Sequence, residues 1–296
     1  MMSPSTLGVS LFIAMMVLMA IRIPIAAAMF LPGVVGYWML TDSYTTLNFL
    51  KGSAVARLTV YDLSVIPLFL LMGQFASSGG LSRDLFRAAA AIMGQVRGGL
   101  AMASVLSAGA FGAVCGSSVA TCATITQVSY PHMRKHGYSG RLTTATLATG
   151  GTLGILIPPS VPLVVYAILT EQNIAKLFAA AMVPGILAML GYLVVIWLIV
   201  RAKPELAPAT QLISPSEKWS AILGVWPIAL VFGIVFGGIY GGVFSPTEGA
   251  GIGATLTLIL GLIRKEITRA NFTEALMGTA ETSAMVFMIF LGADMM

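Results

Sequence analysis

Long stretches without a charged side chain dominate this sequence. Asp, Glu, Lys and Arg are absent from the runs 1–21, 23–41, 63–82, 98–133, 142–170, 177–200 and 219–247. A helix needs about 20 apolar residues to cross the hydrocarbon core of a bilayer. Only 9% of the residues are charged, against about 25% in a soluble domain, and the mean hydropathy is +0.93. We therefore expect an all-α integral membrane protein with about eight spans, surrounded by lipid.

The basic residues lie in short islands between these runs. Although the net charge is +5, this spacing is not that of a nucleic-acid-binding face. Lys and Arg accumulate in cytoplasmic loops of membrane proteins. If Arg22 faces the cytoplasm and the runs alternate, thirteen of the sixteen basic residues fall inside, and only Lys51, Arg57 and Lys176 fall outside. The sequence thus predicts a multi-pass protein and no nucleic-acid partner.

The run 98–133 has basic islands on both sides and therefore must return to the face that it left. As one straight helix it would extend about 54 Å, whereas the hydrocarbon core is about 30 Å thick. Two full crossings would need about 40 residues and a turn. We predict a re-entrant hairpin that turns at Gly116, Ser117 and Ser118, where the non-helical backbone must be buried in protein or line a water-filled cavity.

A second interruption is expected in the run 142–170. Three glycines precede the consecutive prolines Pro158 and Pro159, and each proline removes a donor and collides with the preceding turn of a helix. These residues predict a discontinuous helix that is unwound from Gly151 to Ser160. The alternative is a simple proline kink, whose backbone groups are satisfied by neighbouring helices.

Both interruptions offer oxygen atoms at membrane depth. Hydroxyl groups and freed carbonyls can hold a hard cation such as sodium, and a new helix N-terminus can hold an anion. The alternative is that Gly and Ser only let helices approach closely. The candidate residues are Gly116, Ser117, Ser118, Thr121, Gly151, Thr152, Gly154, Pro158, Pro159 and Ser160.

Glu248 is the only carboxylate in an apolar stretch of about 45 residues, a position that suggests a proton-relay or substrate role. Its spacing favours a structural role, because Ser245, Pro246 and Glu248 form the pattern of a helix capping box. Ser214 and Glu217 repeat that pattern. The apolar segments contain no nucleophile with a neighbouring base, so we do not expect an enzyme.

The chain resembles the large membrane subunit (DctM-like) of the tripartite ATP-independent periplasmic transporters, or TRAP transporters, along all 296 residues. The most specific motifs are 115–121, 154–163 and 245–249. This resemblance implies an inverted-repeat, elevator-type secondary transporter of the bacterial inner membrane that imports a small organic anion, a carboxylate. It also implies a small membrane subunit and a periplasmic solute-binding protein as partners, and sodium as the coupling ion without another cofactor.

The resemblance further implies a sodium site formed by Ser117, Ser118 and the backbone of Gly151, Gly154 and Pro158. It divides the chain into scaffold helices with an outer interfacial segment (1–62), a first repeat of the transport region (63–200), further scaffold helices (201–270) and the start of a second repeat (271–296). Because the family has a second hairpin, we expect the chain to be incomplete at its C-terminal end. A passive channel or another uncoupled permease is the alternative, but it would line a continuous polar path.

Overall fold

The computed structural model describes residues 4–208 and 214–296, and every regular element in these ranges is a helix. The side chain of Arg57, residues 1–3 of segment 1–62 and residues 209–213 of segment 201–270 lie outside the described residues. The helices are α1 Pro4–Ala20, α2 Ile25–Leu40, α3 Ser43–Leu58, α4 Val65–Ser78, α5 Leu81–Met93, α6 Gly99–Cys115, α7 Ser118–Lys135, α8 Gly140–Leu156, α9 Val161–Leu169, α10 Ile174–Ala202, α11 Pro215–Leu223, α12 Trp226–Tyr240, α13 Pro246–Ile263 and α14 Arg269–Met295. The predicted all-α fold is confirmed.

Several of these helices have the length and composition of membrane spans. Within the described residues, five pass that test, and the segment Tyr61–Ser78 with α5, bent by 66°, passes it only when the two are taken together as one span. Three shorter apolar helices accompany them, and the total of about eight spans stays a prediction. The five are Gly140–Leu169, Ile174–Ala202, Pro215–Tyr240, Pro246–Ile263 and Arg269–Met295.

The chain forms two compact units. The first contains the described residues up to Ser64 together with Ala280–Met296. Its helices approach closely at glycines, since a Cβ on Gly33 would come within 2.5 Å of the Met295 carbonyl oxygen. Small residues at such contacts are typical of helix packing in membranes.

The second unit, Val65–Thr279, is built around α6. This helix consists of small and apolar residues, and nearly all of its side chains are buried. Because its surface carries little bulk, α5, α7, α8 and α10 can all pack against it. The surrounding core includes Phe86, Met133, Tyr138, Leu153, Ile157 and Ile196.

One run is divided more finely than the charge pattern suggests. The run 219–247 contains the end of α11, the separate helix α12 and the N-cap of α13. A new helix starts at Trp226 because Pro227 fits the first helical turn but not a helix interior.

In the predicted interfacial segment, the carboxylate of Asp42 accepts a hydrogen bond from the N–H of Thr45 at 2.6 Å. This bond lowers the pKa of Asp42.

Candidate functional site

The predicted turn between α6 and α7 lies at Gly116 and Ser117. Gly116 has φ +66°, a left-handed conformation that favours glycine. Its N–H donates to the carbonyl of Gly112 at 2.8 Å. Ser117 is extended and caps α7, because its hydroxyl accepts a hydrogen bond from the N–H of Ala120 at 3.4 Å. The turn therefore ends one helix and starts the next without an intervening loop.

The break between α8 and α9 is shorter than the sequence predicts. Helix α8 continues to Leu156, so Gly151, Thr152 and Gly154 are helical and the prediction that the chain is unwound from Gly151 is wrong. A glycine costs a helix only about 1 kcal/mol, whereas a proline forces the residue before it out of helical geometry. Ile157 accordingly has ψ 122°, and the break is confined to Ile157–Ser160.

The two interruptions are in direct contact, and we call this contact the helix-break junction. The N–H of Val161 donates to the carbonyl of Gly116 at 3.3 Å. A Cβ on Gly116 would lie 2.8 Å from the carbonyl oxygen of Pro159. Gly116 is thus required both by its backbone conformation and by the close approach of the second break.

Glycines of α8 bring its backbone against the start of α7. A Cβ on Gly154 would overlap the hydroxyl of Thr121 and would lie 2.8 Å from the carbonyl oxygen of Ser117. A Cβ on Gly151 would lie 2.6 Å from the Cβ of Cys122. Both glycines therefore pack as the alternative for Gly and Ser predicts, by letting two helices approach closely. This packing holds α8 against Ser117 and Thr121.

Thr121 has the most unusual environment at the junction. Its side chain is 0% exposed, and its hydroxyl has no hydrogen-bond partner among the described residues other than the nearby thiol of Cys115. A thiol is a weak hydrogen-bonding group, so this hydroxyl is poorly satisfied, and a fully unsatisfied buried hydroxyl costs about 1–3 kcal/mol. Ser160 differs, because its buried hydroxyl donates to the carbonyl of Ile155 at 2.6 Å. Thr121 is therefore a candidate whose hydroxyl is not bonded to a backbone carbonyl.

The junction combines two helix C-termini with two helix N-termini. Helices α6 and α8 end there, and α7 and α9 begin there. The last carbonyls of a helix lack intrahelical partners and form the negative end of its dipole, whereas the first N–H groups form the positive end. This arrangement can bind a cation on carbonyl and hydroxyl oxygens and an anion on N–H groups.

Not all candidates share the junction. The hydroxyl of Thr152 donates to the carbonyl of Thr149 at 2.7 Å and lies 3.0 Å from the hydroxyl of Tyr192. Its side chain is exposed and on the side of α8 that faces α10. The structure thus brings Gly116, Ser117, Thr121, Gly154 and Pro159 together, but not the side chain of Thr152.

Two residues that the sequence did not single out contribute to this region. A Cβ on Gly112 would lie 2.6 Å from the Cα of Gly154, and its four-residue spacing from Gly116 is the small-residue pattern that could have identified it. The hydroxyl of Thr146 is buried without a partner among the described residues. No sequence pattern distinguishes Thr146 from the other threonines of α8.

Both capping boxes are present. The N–H of Ser245 donates to Glu248 Oε2 at 2.8 Å, and the N–H of Glu248 donates to Ser245 Oγ at 3.2 Å. Pro246 is the first residue of α13. Ser214 and Glu217 make the same pair of bonds at the start of α11. The carboxylate of Glu248 therefore has a local partner, and it also lines an open cavity of about 630 Å³ with Phe244 and Thr255.

Comparison with known proteins identifies a family and several relatives. The family model for "Tripartite ATP-independent periplasmic transporter, DctM component" matches residues 12–296. The C4-dicarboxylate TRAP transporter large permease protein DctM of Pseudomonas aeruginosa is 36% identical over 79% of this chain and 54% of its own length. The 2,3-diketo-L-gulonate TRAP transporter large permease protein YiaN of Escherichia coli is 30% identical over 93% of this chain and 64% of its own length.

A third relative is a longer protein with a combined name. The isethionate TRAP transporter permease protein DctMQ of Oleidesulfovibrio alaskensis is 31% identical over 82% of this chain and 38% of its own length. The present chain spans 54–64% of the two large permease relatives and a smaller share of this one.

Proposed function

The chain belongs to the DctM family of tripartite ATP-independent periplasmic transporters, and from this premise we propose that it is part of the translocating subunit of a sodium-coupled importer. The proposed cargo is a small organic anion, delivered by a periplasmic solute-binding protein. The proposed location is the bacterial inner membrane, where a small membrane subunit completes the transporter. The relatives carry the names of transporter permeases, which agrees with a protein that is not an enzyme.

The observation that carries the proposal is the helix-break junction with its buried Thr121 hydroxyl, whose partner among the described residues is the Cys115 thiol and not a backbone carbonyl. Gly116 and Val161 join the two breaks by a hydrogen bond of 3.3 Å, and the Thr121 hydroxyl is buried beside them. Discontinuous helices that meet at membrane depth are the usual ion and substrate sites of secondary transporters.

The chemistry of the junction favours sodium over protons. Proton coupling commonly uses an intramembrane Asp or Glu, and the runs 98–133 and 142–170 contain neither. The proposed sodium ligands are the oxygens of Ser117, Ser118 and Thr121 and the carbonyls of Gly154 and Pro158. The carbonyl of Gly151 lies inside α8, where it already accepts a helical hydrogen bond. We therefore expect it to contribute less to sodium binding than the ligands named above.

The cargo class is supported by the relatives and by the N-terminus of α7 at the junction. The names of the three relatives specify a C4-dicarboxylate, 2,3-diketo-L-gulonate and isethionate, all of which are small organic anions. The first N–H groups of α7 can bind such an anion, whereas the N–H of Val161 at the start of α9 already donates to the Gly116 carbonyl. The relative named DctMQ is much longer than the part that this chain covers, which is 38% of its length. Its combined name and its additional length support a second membrane component as partner.

Uptake measurements test the proposal. The complete transporter is reconstituted in vesicles with its solute-binding protein and is energised by a sodium gradient or by a pH gradient alone. We expect uptake with sodium only, and strong uptake with the pH gradient alone would contradict the proposal.

Ser117→Ala and Ser118→Ala should each raise the sodium concentration for half-maximal uptake. Ser107→Ala is the matched control, because the Ser107 hydroxyl is already bonded to the carbonyl of Ala103 at 2.6 Å.

A further inference from the structure

A second polar cluster in the Val65–Thr279 unit is formed by the segment between α5 and α6 and by the end of α10. Arg97, Trp197 and Arg201 line a cavity of about 230 Å³ there. The other lining residues are apolar, namely Val96, Val200 and Pro204. Because one water occupies about 30 Å³ of liquid, the cavity has room for a phosphate group with several waters.

Both arginines have donors to spare. Their side chains are exposed, and neither forms an ion pair within the described ranges 4–208 and 214–296. The guanidinium carbon of Arg201 lies 5.2 Å from the ring centroid of Trp197. Stacking of this kind uses the face of the guanidinium group and leaves its N–H edges available. Two such edges at one cavity match the geometry of a phosphate, which accepts bidentate hydrogen bonds.

The same helix carries an apolar stripe that ends at this cavity. Val183, Leu187, Leu190, Val194 and Trp197 follow one another at intervals of three or four residues, and each is exposed by 43% to 63%. Arg201 continues this spacing by four residues, so it lies on the same face of α10. Only 17% of the apolar window of α10 is buried.

The part of the stripe nearest to the cavity corresponds in length to one leaflet of a bilayer. From Arg201 to Leu190 the helix rises by about 16 Å at 1.5 Å per residue, and half of a hydrocarbon core is about 15 Å thick. Tryptophan is enriched at the membrane–water interface. The charge pattern predicts that Arg97 and Arg201 face the cytoplasm, where anionic lipids attract basic residues.

We propose that the cavity binds the phosphate of an anionic phospholipid from the cytoplasmic leaflet, while one acyl chain of that lipid lies along the α10 stripe. A lipid supplies the anion and the apolar chain in a single molecule, in the order in which the cavity and the stripe follow each other. An acidic segment of a protein partner would have to match the arginines and the stripe separately. The site is distinct from the helix-break junction and does not depend on sodium coupling.

Trp197 provides a reporter for the test. In the full-length protein, every tryptophan other than Trp197, including Trp38, Trp219 and Trp226, is replaced by Phe. The fluorescence of Trp197 is then measured in vesicles that contain phosphatidylglycerol or phosphatidylcholine with brominated acyl chains. We expect brominated phosphatidylglycerol to quench Trp197 at a lower mole fraction. Arg97→Gln with Arg201→Gln should reduce the preference for phosphatidylglycerol by about 10- to 30-fold, because each basic residue near a membrane surface contributes about 1 kcal/mol.

A matched variant controls for net charge. Lys135→Gln with Arg141→Gln removes two exposed basic residues that are predicted to face the same side, and it should leave the preference for phosphatidylglycerol unchanged. Arg97→Lys with Arg201→Lys should keep only part of it, because the charge is retained but the bidentate N–H edges are lost. Circular dichroism and size-exclusion chromatography confirm that each variant is folded.

Three results would overturn the proposal. The first is equal quenching by the two brominated lipids, or an unchanged preference in the double Gln variant. The second is displacement of brominated phosphatidylglycerol by millimolar inorganic phosphate, which would indicate a site for a free anion. The third is complete shielding of Trp197 from both lipids when the small membrane subunit is bound, which would indicate a protein interface.

Discussion

The helix-break junction and the start of α13 are built from the same residue types, Ser, Pro and Gly, inside apolar sequence. At the start of α13, Ser245 and Glu248 satisfy each other through hydrogen bonds of 2.8 Å and 3.2 Å. At the junction, the Thr121 hydroxyl is buried and unpartnered among the described residues apart from the Cys115 thiol. The same residue types thus form a cap with satisfied hydrogen bonds in one region and leave oxygen atoms available for binding in the other.

The difference shows which observation separates a binding site from a structural motif. A capping interaction stabilises its helix by about 0.5–2 kcal/mol, and nothing further is needed to explain its residues. A thiol is a weak hydrogen-bonding group, so the buried Thr121 hydroxyl is poorly satisfied, and the full cost of an unsatisfied hydroxyl is about 1–3 kcal/mol. Such a group calls for a ligand or another function. Four substitutions, taken from the largest expected effect to the smallest, can break or sharpen this comparison.

Gly154→Ala should have the largest effect, because the new Cβ would overlap the Thr121 hydroxyl and press on the Ser117 carbonyl. Overpacking of this kind typically costs about 1–3 kcal/mol, and we expect loss of uptake by the complete transporter together with a lower unfolding temperature. Gly191→Ala is the control, because nothing lies within 4 Å of a Cβ at that position of α10. It should stabilise the helix by about 0.5–1 kcal/mol. Equal behaviour of the two variants would show that the junction tolerates a side chain.

Thr121→Val tests the poorly satisfied hydroxyl through two effects of opposite sign. Without sodium, the unfolding temperature should stay the same or rise, because a buried hydroxyl whose partner is only the Cys115 thiol has been removed. The sodium concentration that stabilises the protein should increase by about 10- to 100-fold, since a hydrogen-bond-like contact to a charge is worth about 1.5–3 kcal/mol. Both quantities come from thermal unfolding in a sodium titration.

The control for Thr121→Val is Thr257→Val. The Thr257 hydroxyl is equally buried but donates to the carbonyl of Gly253 at 2.7 Å. Its removal should lower the unfolding temperature slightly and leave the sodium titration unchanged. If Thr121→Val also leaves the titration unchanged, Thr121 is not a sodium ligand.

Ser245→Ala should behave as a loss of a cap. It removes the acceptor for the N–H of Glu248, and such losses cost about 0.5–2 kcal/mol of stability. Ser214→Ala removes the corresponding acceptor from α11 and should have a similar cost. Denaturant unfolding measures both, and neither variant should alter the sodium titration. A changed sodium titration in Ser245→Ala but not in Ser214→Ala would show that the start of α13 takes part in sodium binding.

Glu248→Gln should have the smallest effect. Gln also fits the third position of a capping box, so the principal loss is the interaction of a negative charge with the helix dipole, about 0.3–1 kcal/mol. The amount of folded protein and its uptake should both fall slightly. A variant that folds normally and transports nothing would show that the carboxylate has a functional role in addition to the cap.

Local features were predictable from the sequence. The turn at Gly116 and Ser117, the interruption around Pro158 and Pro159, and the two capping patterns all lie where the sequence predicts them. Each depends on neighbours within a few residues, since proline restricts the residue before it and a cap bonds three residues ahead. The extent of the second break was overestimated, because glycines weaken a helix without ending it.

The sequence by itself determined the membrane class, the helical fold and the positions of the breaks and caps, because hydropathy and local backbone geometry decide them. Only the tertiary structure decided that Gly116 meets Pro159, that Gly154 packs on Thr121, and that Thr152 faces Tyr192 instead. These contacts join residues 33 to 43 positions apart, or different faces of one helix. The rotation and approach of packed helices set such contacts, and local sequence does not specify which neighbour fills each face.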